Sequence, residues 1–349
     1  MKFNIQNPAF LQAGGNIHRT PETRFMFVEG QSQMQLSANG LVVIASVQGG
    51  EEVRETYSML DNTYVTINAD AGTEVVIYGA VTAINSDENE GLFASLDVSK
   101  NTALAELNCN GCADLTSLDV SKNTALAELN CYGCRGLTSL DLSKNTALTE
   151  LICYGCTGLT SLDLSKNTAL AELDCSDCTG LTSLDVSKNT ALTNLSLGGR
   201  MNLTSLDLSK NTALTNLYCN DCTGLTSLDV SKNTALTNLI CSDCMDLTSL
   251  DLSKNTALTN LDCGDCTGLT SLDVSKNTAL TELYCNGCTG LISVNGIAVK
   301  ARIANSIANA ITDATSVDGT VTLRQGDEFN QTIIDAAMNK GWDVQYYAS

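Results

Sequence analysis

The sequence predicts a mainly β fold, a right-handed solenoid of stacked coils, and three patterns support that prediction. The unit LxxLxCxxCxxLTSLD(V/L)SKNTA spans 22 residues and recurs nine times in register. Inside each unit, the Leu, Leu, Cys and Cys at positions 1, 4, 6 and 9 return eleven residues later as Leu, Leu, Val or Leu, and Asn. Apolar and polar residues alternate around positions 4–6 and 15–17. The first leucines of the units are Leu104, Leu126, Leu148, Leu170, Leu192, Leu214, Leu236, Leu258 and Leu280.

A fixed period without insertions is typical of coils that stack and contact only their neighbours. The alternation is the signal of a strand, so we expect two short parallel strands per coil. Turns rich in Gly, Asn, Asp, Ser and Thr separate them. A lone coil buries too little apolar surface to fold, and packing between coils must therefore stabilise the solenoid.

The corners of the coil are expected to form two ladders. Asn at position 20, as in Asn123 and Asn145, is predicted to turn inward and bond backbone groups that the bend leaves unpaired. Cysteine occupies the equivalent corner at position 9, and all sixteen cysteines lie at positions 6 or 9, including Cys109, Cys112, Cys131 and Cys134. We interpret them as a structural ladder of thiols, with disulfides and a bound metal as alternatives. No metal or other cofactor is expected.

At these residues the chain resembles a known family. LxxLxCxxCxxL followed by LxxLDVSxN is similar to the leucine-rich repeats, and more closely to the bacterial cysteine-containing, internalin J-like type that also occurs in Bacteroidetes and their phages. The resemblance covers about residues 81–294. It implies a leucine-rich-repeat solenoid used for adhesion or recognition, without catalysis.

The ends of the chain depart from the repeat. Residues 1–22 hold both prolines and the only histidine, His18, and are interpreted as an extended arm. Strand-like runs at 23–80 predict a small all-β, β-sandwich-like domain that caps the solenoid. The solenoid itself is expected at 81–294, as one degenerate coil followed by nine repeats. Residues 295–349 indicate an α/β cap with Trp342 packed in it.

Charge and composition exclude several functions. A net charge of −20 argues against nucleic acid and against anionic membranes. No apolar stretch is long enough to span a bilayer, and the first residues lack the apolar run of a secretory signal. The single histidine, the lack of a phosphate-binding glycine loop and the regular spacing of the carboxylates argue against an enzyme.

The two strand faces of the predicted coil differ. Asp at position 16 and Lys at position 19 are constant, which indicates a solvated face. Positions 5 and 7 vary and include exposed aromatic and aliphatic residues, so we predict that they form a binding surface. Neutral drift on a tolerant face is the alternative. The candidate residues are Tyr132, Ile152 and Tyr154 as one cluster, Tyr218, Ile240 and Tyr284 as another, and Asp174 and Asp262.

The fifth unit lacks both cysteines and has Gly198, Gly199 and Arg200 at the corner. An arginine at an inward position is expected to turn out to water or to find a carboxylate, with a local bulge in the coil. This segment is interpreted either as a specificity notch or as a degenerate repeat.

Two functions follow from these patterns. The first is a non-enzymatic recognition or adhesion protein that binds a protein or glycan along the varied face. The second is a structural component of a larger assembly, such as a phage decoration or fibre protein, which contacts other virion proteins through its N-terminal arm. The expected location is accordingly a virion or a host-facing surface for a phage protein, and the cytoplasm otherwise.

Overall fold

The structure is a computed structural model that describes residues 22–27, 31–38, 40–48, 51–59, 63–68, 72, 74–86, 93–200, 202–295, 307–308, 310–312, 320–324 and 330–347. The chain forms two compact units, Met1–Leu170 and Ala171–Ser349, which are described separately. The predicted arm lies outside the described residues except for Glu22, which begins the first strand. No helix in the described part of the chain is long and apolar enough to cross a membrane.

The described residues of the first unit form eleven strands. Five of them form an antiparallel sheet in the order β4-β3-β6-β1-β8. In the second sheet, β5-β2-β7 is antiparallel, and β7 continues in parallel into β9, β10 and β11. The strands are β1 (Glu22–Phe27), β2 (Gln31–Ala38), β3 (Gly40–Gln48), β4 (Glu51–Met59), β5 (Thr63–Asn68), β6 (Glu74–Tyr78), β7 (Val81–Asn85), β8 (Phe93–Asp97), β9 (Glu106–Asn108), β10 (Glu128–Asn130) and β11 (Glu150–Ile152).

The N-terminal strands of this unit join the first coil through packed and charged contacts. Phe25 packs edge-on against Phe93, with ring centroids 5.2 Å apart. Glu22 is buried and pairs with both Lys100 and Arg24. The hydrogen bond from Lys100 holds the pKa of the Glu22 carboxyl below its ordinary value against the effect of burial. The all-β segment therefore contacts the solenoid directly, although its role as a cap stays a prediction.

The described residues of the second unit include ten strands and one helix with defined ends. Its sheet β12-β13-β14-β15-β16-β18 is parallel and in register, and a second sheet has the order β17-β19-β20-β21. Residues 307–308 and 310–312 are also helical, and the role of the C-terminal region as an α/β cap stays a prediction. The elements are β12 (Glu172–Asp174), β13 (Asn194–Ser196), β14 (Asn216–Tyr218), β15 (Asn238–Ile240), β16 (Asn260–Asp262), β17 (Ser271–Asp273), β18 (Glu282–Tyr284), β19 (Ser293–Asn295), β20 (Thr320–Arg324), α1 (Asn330–Lys340) and β21 (Asp343–Tyr347).

The mainly β solenoid with strands 22 residues apart is confirmed, but the prediction of two strands per coil is not. Positions 3–5 form a strand in every described coil, whereas the second predicted segment does so only in β8, β17 and β19, where the strand covers positions 14–16. The coils stand farther apart on that second face. The Thr248 N to Thr226 O distance is 3.5 Å, while the Cys219 N to Ile240 O distance beside the strand face is 2.8 Å. The second face is therefore extended without a regular ladder.

Buried side chains connect successive coils at two corners. The Nδ2 of Asn123 donates to the carbonyls of Val98 and Asn101 in the preceding coil, at 3.0 and 2.8 Å. Asn145 repeats the same pair of bonds one coil later. At the other corner, a position-9 thiol donates to the position-6 carbonyl of the preceding coil. Both bonds join residues 25 apart, so the eleven-residue period of the sequence returns in the hydrogen bonding.

We predict that Asn233→Ala lowers the free energy of unfolding by about 2–4 kcal/mol, because the buried carbonyls of Leu208 and Asn211 lose their donor. Chemical denaturation measures the change. Lys232→Ala, at the exposed neighbouring position, is the control and should shift stability by less than about 0.5 kcal/mol. Equal effects of the two substitutions would contradict the role given to the asparagine ladder.

The constant aspartates at position 16 close a turn on the second face. The N–H of Ser231 donates to Asp229 Oδ1 at 2.9 Å, and Asp207 and Asp251 accept the same bond. The backbone N–H and hydroxyl of Ser231 hold the pKa of the Asp229 carboxyl below its ordinary value of 3.8. The column is therefore structural as well as solvated.

This lowered pKa predicts an acid dependence. The stabilisation is complete above the ordinary carboxyl pKa and is lost as pH falls through the lowered one. We expect the melting temperature of the wild type to fall more steeply between about pH 5 and pH 2 than that of Asp207→Asn/Asp229→Asn/Asp251→Asn, which keeps the acceptors and removes the charges. The matching alanine variant should be less stable at neutral pH as well. Parallel pH profiles would rule this explanation out.

Candidate functional site

The varied face consists of the outward positions 3, 5 and 7 around each buried position-4 leucine. In the first unit these positions belong to β9, β10 and β11 and the residues that follow them. Leu107, Leu129 and Leu151 are buried, and the flanking residues are exposed or half-buried. The strands pair residue for residue, so equivalent positions form columns across the coils. The nine outward residues are Glu106, Asn108, Asn110, Glu128, Asn130, Tyr132, Glu150, Ile152 and Tyr154.

Two of the predicted tyrosines form a stacked pair on this face. The rings of Tyr132 and Tyr154 lie 5.0 Å apart between centroids and are inclined by 7°. Tyr132 is 42% exposed, and Tyr154 is half-buried. Ile152 pairs with Asn130 in the sheet and is also half-buried. The structure therefore places Tyr132, Ile152 and Tyr154 in two neighbouring coils, and a role of this first cluster in binding stays a prediction.

The second unit carries the remaining predicted residues in its position-5 column. Tyr218 pairs directly with Ile240, Ile240 with Asp262, and Asp262 with Tyr284. Tyr284 is 40% exposed and the other three are half-buried. The expected cluster of Tyr218, Ile240 and Tyr284 is thus interrupted by Asp262.

Several polar side chains at position 5 have a local structural role. The N–H of Ser176 donates to Asp174 Oδ1 at 2.9 Å, and the N–H of Gly264 donates to Asp262 Oδ1 at 3.0 Å. Asn130 accepts the same bond from the N–H of Tyr132 at 2.9 Å. These bonds hold the backbone that carries position 7, so residues at position 5 orient their neighbours as well as facing solvent.

The sequence reasoning missed an amide ladder at position 3 of the second unit. Asn194 donates to the carboxylate of Glu172 at 3.3 Å, Asn216 to Asn194 Oδ1 at 2.5 Å, and Asn238 to Asn216 Oδ1 at 2.5 Å. The signal was visible as a run of Asn at the same repeat position between Glu172 and Glu282. Asn194, Asn216 and Asn238 each direct their Nδ2 toward the preceding coil, so the amide dipoles of this ladder all point the same way.

The sixteen cysteines are free thiols and all are buried. The Sγ of Cys134 donates to Cys109 O at 3.1 Å, and that of Cys156 to Cys131 O at 3.0 Å. In the second unit, Cys222, Cys244, Cys266 and Cys288 make the same bond to the preceding coil. Hydrogen bonding with the neighbouring thiol and burial raise the pKa of Cys131, and burial raises that of Cys222 to about 11. Protonated thiols are the form that can donate these bonds.

The expectation for Arg200 is wrong. Its side chain occupies the position-9 site inside the coil, is 1% exposed, and has neither water access nor a carboxylate partner among the described residues. Its Nη2 donates to Leu181 O at 2.9 Å and its Nη1 to Cys175 Sγ at 3.9 Å, while its Nε has no partner there. The strand β13 stays in register with β12 and β14, so no bulge forms in the strand. Spacing alone marks this position as inward but does not show that the interior of the coil can hold a guanidinium.

Gly198 and Gly199 do not leave an open notch beside it. A Cβ on Gly199 would lie 1.9 Å from Asp177 Oδ1, and one on Gly198 would lie 2.8 Å from Asn220 Oδ1. Gly199 also has a φ of 72°, which favours glycine. Because the two glycines have no side chain, the space beside them is filled by Asp177 and Asn220 of the adjacent coils. A specificity role for this segment stays a prediction.

We predict that Arg200→Cys raises the free energy of unfolding by about 1–4 kcal/mol, because it removes a buried charge without a counterion and restores the thiol donor of the other coils. Arg200→Met is the matched variant, since it keeps most of the volume and removes only the charge. Thermal and chemical denaturation measure both. A loss of stability in both variants would show that the buried guanidinium is a net stabilising group.

Comparison with known proteins places the fold beside one group of solved structures. The chain is similar to the functional domain of InlJ from Listeria monocytogenes, which includes a cysteine ladder, at 33% identity and a TM-score of 0.51 over 66% of this chain and 53% of that chain. It therefore spans about half the length of the InlJ domain. The internalin InlF from Listeria monocytogenes aligns at 18% identity and a TM-score of 0.37 over 73% of this chain and 87% of that chain. No family model and no curated protein matches.

Proposed function

We propose that this chain, a cysteine-containing leucine-rich-repeat protein similar to the internalin InlJ, is a non-enzymatic recognition protein that binds a partner on its varied strand face. Leucine-rich repeats of this type are scaffolds for interaction. The observation that carries the proposal is the stacked pair of Tyr132, which is exposed, and Tyr154, which is half-buried, on a face that varies while the opposite face stays constant. A protein is the partner we favour, and a glycan is the alternative.

The face has the properties of a contact surface. Tyrosine combines a large apolar ring with a polar hydroxyl and few rotatable bonds, so it loses little entropy on binding. Stacking restrains both rings further before any partner arrives. The columns lie on hydrogen-bonded strands, which hold them in fixed relative positions. A rigid, partly apolar surface of this kind favours recognition over catalysis.

The constant face is less suited to a partner. One carboxylate oxygen of each aspartate accepts a hydrogen bond from the backbone N–H of the serine two residues later. A lysine follows each aspartate at position 19. The two charge columns offset each other, so a charged partner gains little there. The alternative role in a larger assembly depends on the arm at 1–22, which lies outside the described residues except for Glu22.

We predict that Tyr132→Ala/Tyr154→Ala/Tyr218→Ala abolishes capture of the physiological partner by the full chain. The variant removes three of the four predicted tyrosines, two in the first unit and one in the second, without touching the core or either corner ladder. The measurement is a quantitative pull-down from the source of the partner, followed by titration with the purified partner once it is identified. Tyrosines at the centre of an interface contribute about 2 kcal/mol or more each, so at least a 30-fold loss of affinity is expected.

The matched control is Lys144→Ala/Lys166→Ala/Lys232→Ala, which truncates three exposed side chains on the opposite face of the same coils. It should bind like the wild type. Unchanged capture by the tyrosine variant, with the fold intact by circular dichroism, would mean that the face has drifted neutrally. Loss of capture by the lysine variant instead would move the binding site to the constant face.

A further inference from the structure

Two tyrosines of adjacent coils lie close enough for their side chains to be joined covalently. We propose that Tyr132 and Tyr154 are an oxidative modification site and form a dityrosine bond within the chain when hydrogen peroxide acts through a haem peroxidase. This modification goes beyond the recognition function and does not depend on it, because no partner takes part. It rests on the contact between the two rings, on the backbone that carries them and on their access to solvent.

The two rings are already in contact before any oxidation. Their centroids are 5.0 Å apart and their planes are inclined by 7°. Both tyrosines occupy position 7, so they are one repeat apart in the sequence and lie in neighbouring coils. The carbons next to each hydroxyl group, the Cε atoms, are the ring atoms that would be joined. Rotation about the side-chain bonds is enough to bring one Cε atom of each ring together.

The backbone at this position is held, although it lies in a turn beyond the strands β10 and β11. The N–H of Cys131 donates to Ile152 O at 2.8 Å, and the N–H of Gly133 donates to Tyr154 O at 2.7 Å. Bonds between the two coils therefore flank Tyr132 on both sides. Reactive groups that are held together in this way have an effective concentration far above that of a second molecule in dilute solution. A bond within the chain is thus favoured over one between chains.

The pair is also open to an oxidant. Tyr132 is 42% exposed, and Tyr154 is half-buried. The solvent-facing side of the Tyr132 ring both admits the oxidant and leaves room for the ring to turn. The tyrosines can therefore be oxidised without any opening of the coil.

The thiols beneath the pair are poor competitors for the oxidant. Cys131 and Cys134 are fully buried. Hydrogen bonding with a neighbouring thiol and burial raise the pKa of both thiols. The thiolate is the form of cysteine that reacts with peroxide, so thiols that stay protonated and buried react slowly. Oxidation is consequently directed to the phenols at the surface.

The reaction balances with one hydrogen peroxide as the oxidant. Each phenol gives up its hydroxyl hydrogen as one electron and one proton, and the two phenoxyl radicals carry unpaired electron density on their Cε carbons. One Cε–Cε bond forms, and the hydrogen on each of these carbons then moves to the oxygen and restores the hydroxyl group. The net change in the protein is the loss of two hydrogen atoms, while the peroxide is reduced to two molecules of water.

The test treats the dilute full chain with a haem peroxidase and hydrogen peroxide, and then digests it with trypsin. Tyr132 and Tyr154 fall in separate peptides, 123–135 and 145–166, because lysine or arginine precedes and ends each of them. We expect a product with the summed mass of these two peptides less two hydrogen atoms, together with dityrosine fluorescence. The crosslinked fraction should stay the same when the protein is diluted about tenfold, since the reaction is within one molecule.

Phenylalanine variants identify the residues that are joined. Tyr132→Phe and Tyr154→Phe each keep the ring and remove the hydroxyl hydrogen, so each should lower the yield of crosslinked peptide about tenfold or more. The matched control is Tyr218→Phe/Tyr284→Phe, which removes two tyrosine hydroxyls from the same face in the second unit and should leave the yield unchanged. Tyr218 and Tyr284 are three coils apart, or ~14 Å at ~4.8 Å per coil, so no bond is expected between them.

Two results would overturn the proposal. One is the absence of the crosslinked peptide from the treated wild type. The other is a mixture of isotope-labelled and unlabelled chains that crosslinks between molecules as often as within them, which would mean that the geometry of the pair gives no advantage. Because neither measurement involves a partner, a failed crosslink leaves the recognition function untouched, and a failed capture experiment leaves the crosslink untouched.

Discussion

Backbone carbonyls that turn inward at the corners of a coil have no water to bond, and the structure meets this constraint with side chains from the next coil. Asparagine does so at one corner and cysteine at the other, each with the same offset of 25 residues. The bonds hold the corners of adjacent coils at a fixed distance. Strand pairing on the adjoining face follows from that distance, and so does the alignment of the outward columns. Within each unit, the packing of the leucines depends on it too.

The corner bonds and the buried leucines stabilise the fold, so the residue types at the outward strand positions are not constrained by stability. A tyrosine, isoleucine or aspartate at position 5 changes the surface and leaves the buried lattice as it was. The limit is local, since Asn130, Asp174 and Asp262 each also accept a bond from the residue two places on. Sequence variation is therefore concentrated at positions that can contact a partner and whose substitution does not change the packing of the core. This division is why a binding role for the tyrosines is physically reasonable.

The period, the inward positions and the two corner ladders could all be predicted from sequence, because each is a repeated choice of residue with one physical reason. The number of strands per coil could not, since alternation at positions 15–17 shows which side chains face inward but not how far apart the coils stand. Arg200 was misjudged for a related reason: spacing marks its position as inward but does not show the volume available. The amide ladder of Asn194, Asn216 and Asn238 was overlooked although the residues were visible, because a column is apparent only when strands are stacked.

The shared corner bonds also bear on how such a gene changes. Each uniform coil donates to carbonyls of the coil before it and presents the equivalent carbonyls to the coil after it. A whole coil can therefore be gained or lost by unequal recombination without leaving a buried polar group unpaired. The coil of Arg200 is different, because its guanidinium reaches Leu181 and Cys175 of the coil before it. Copy number is thus free to drift among the uniform coils, whereas a second copy of this one would bury another guanidinium without a counterion.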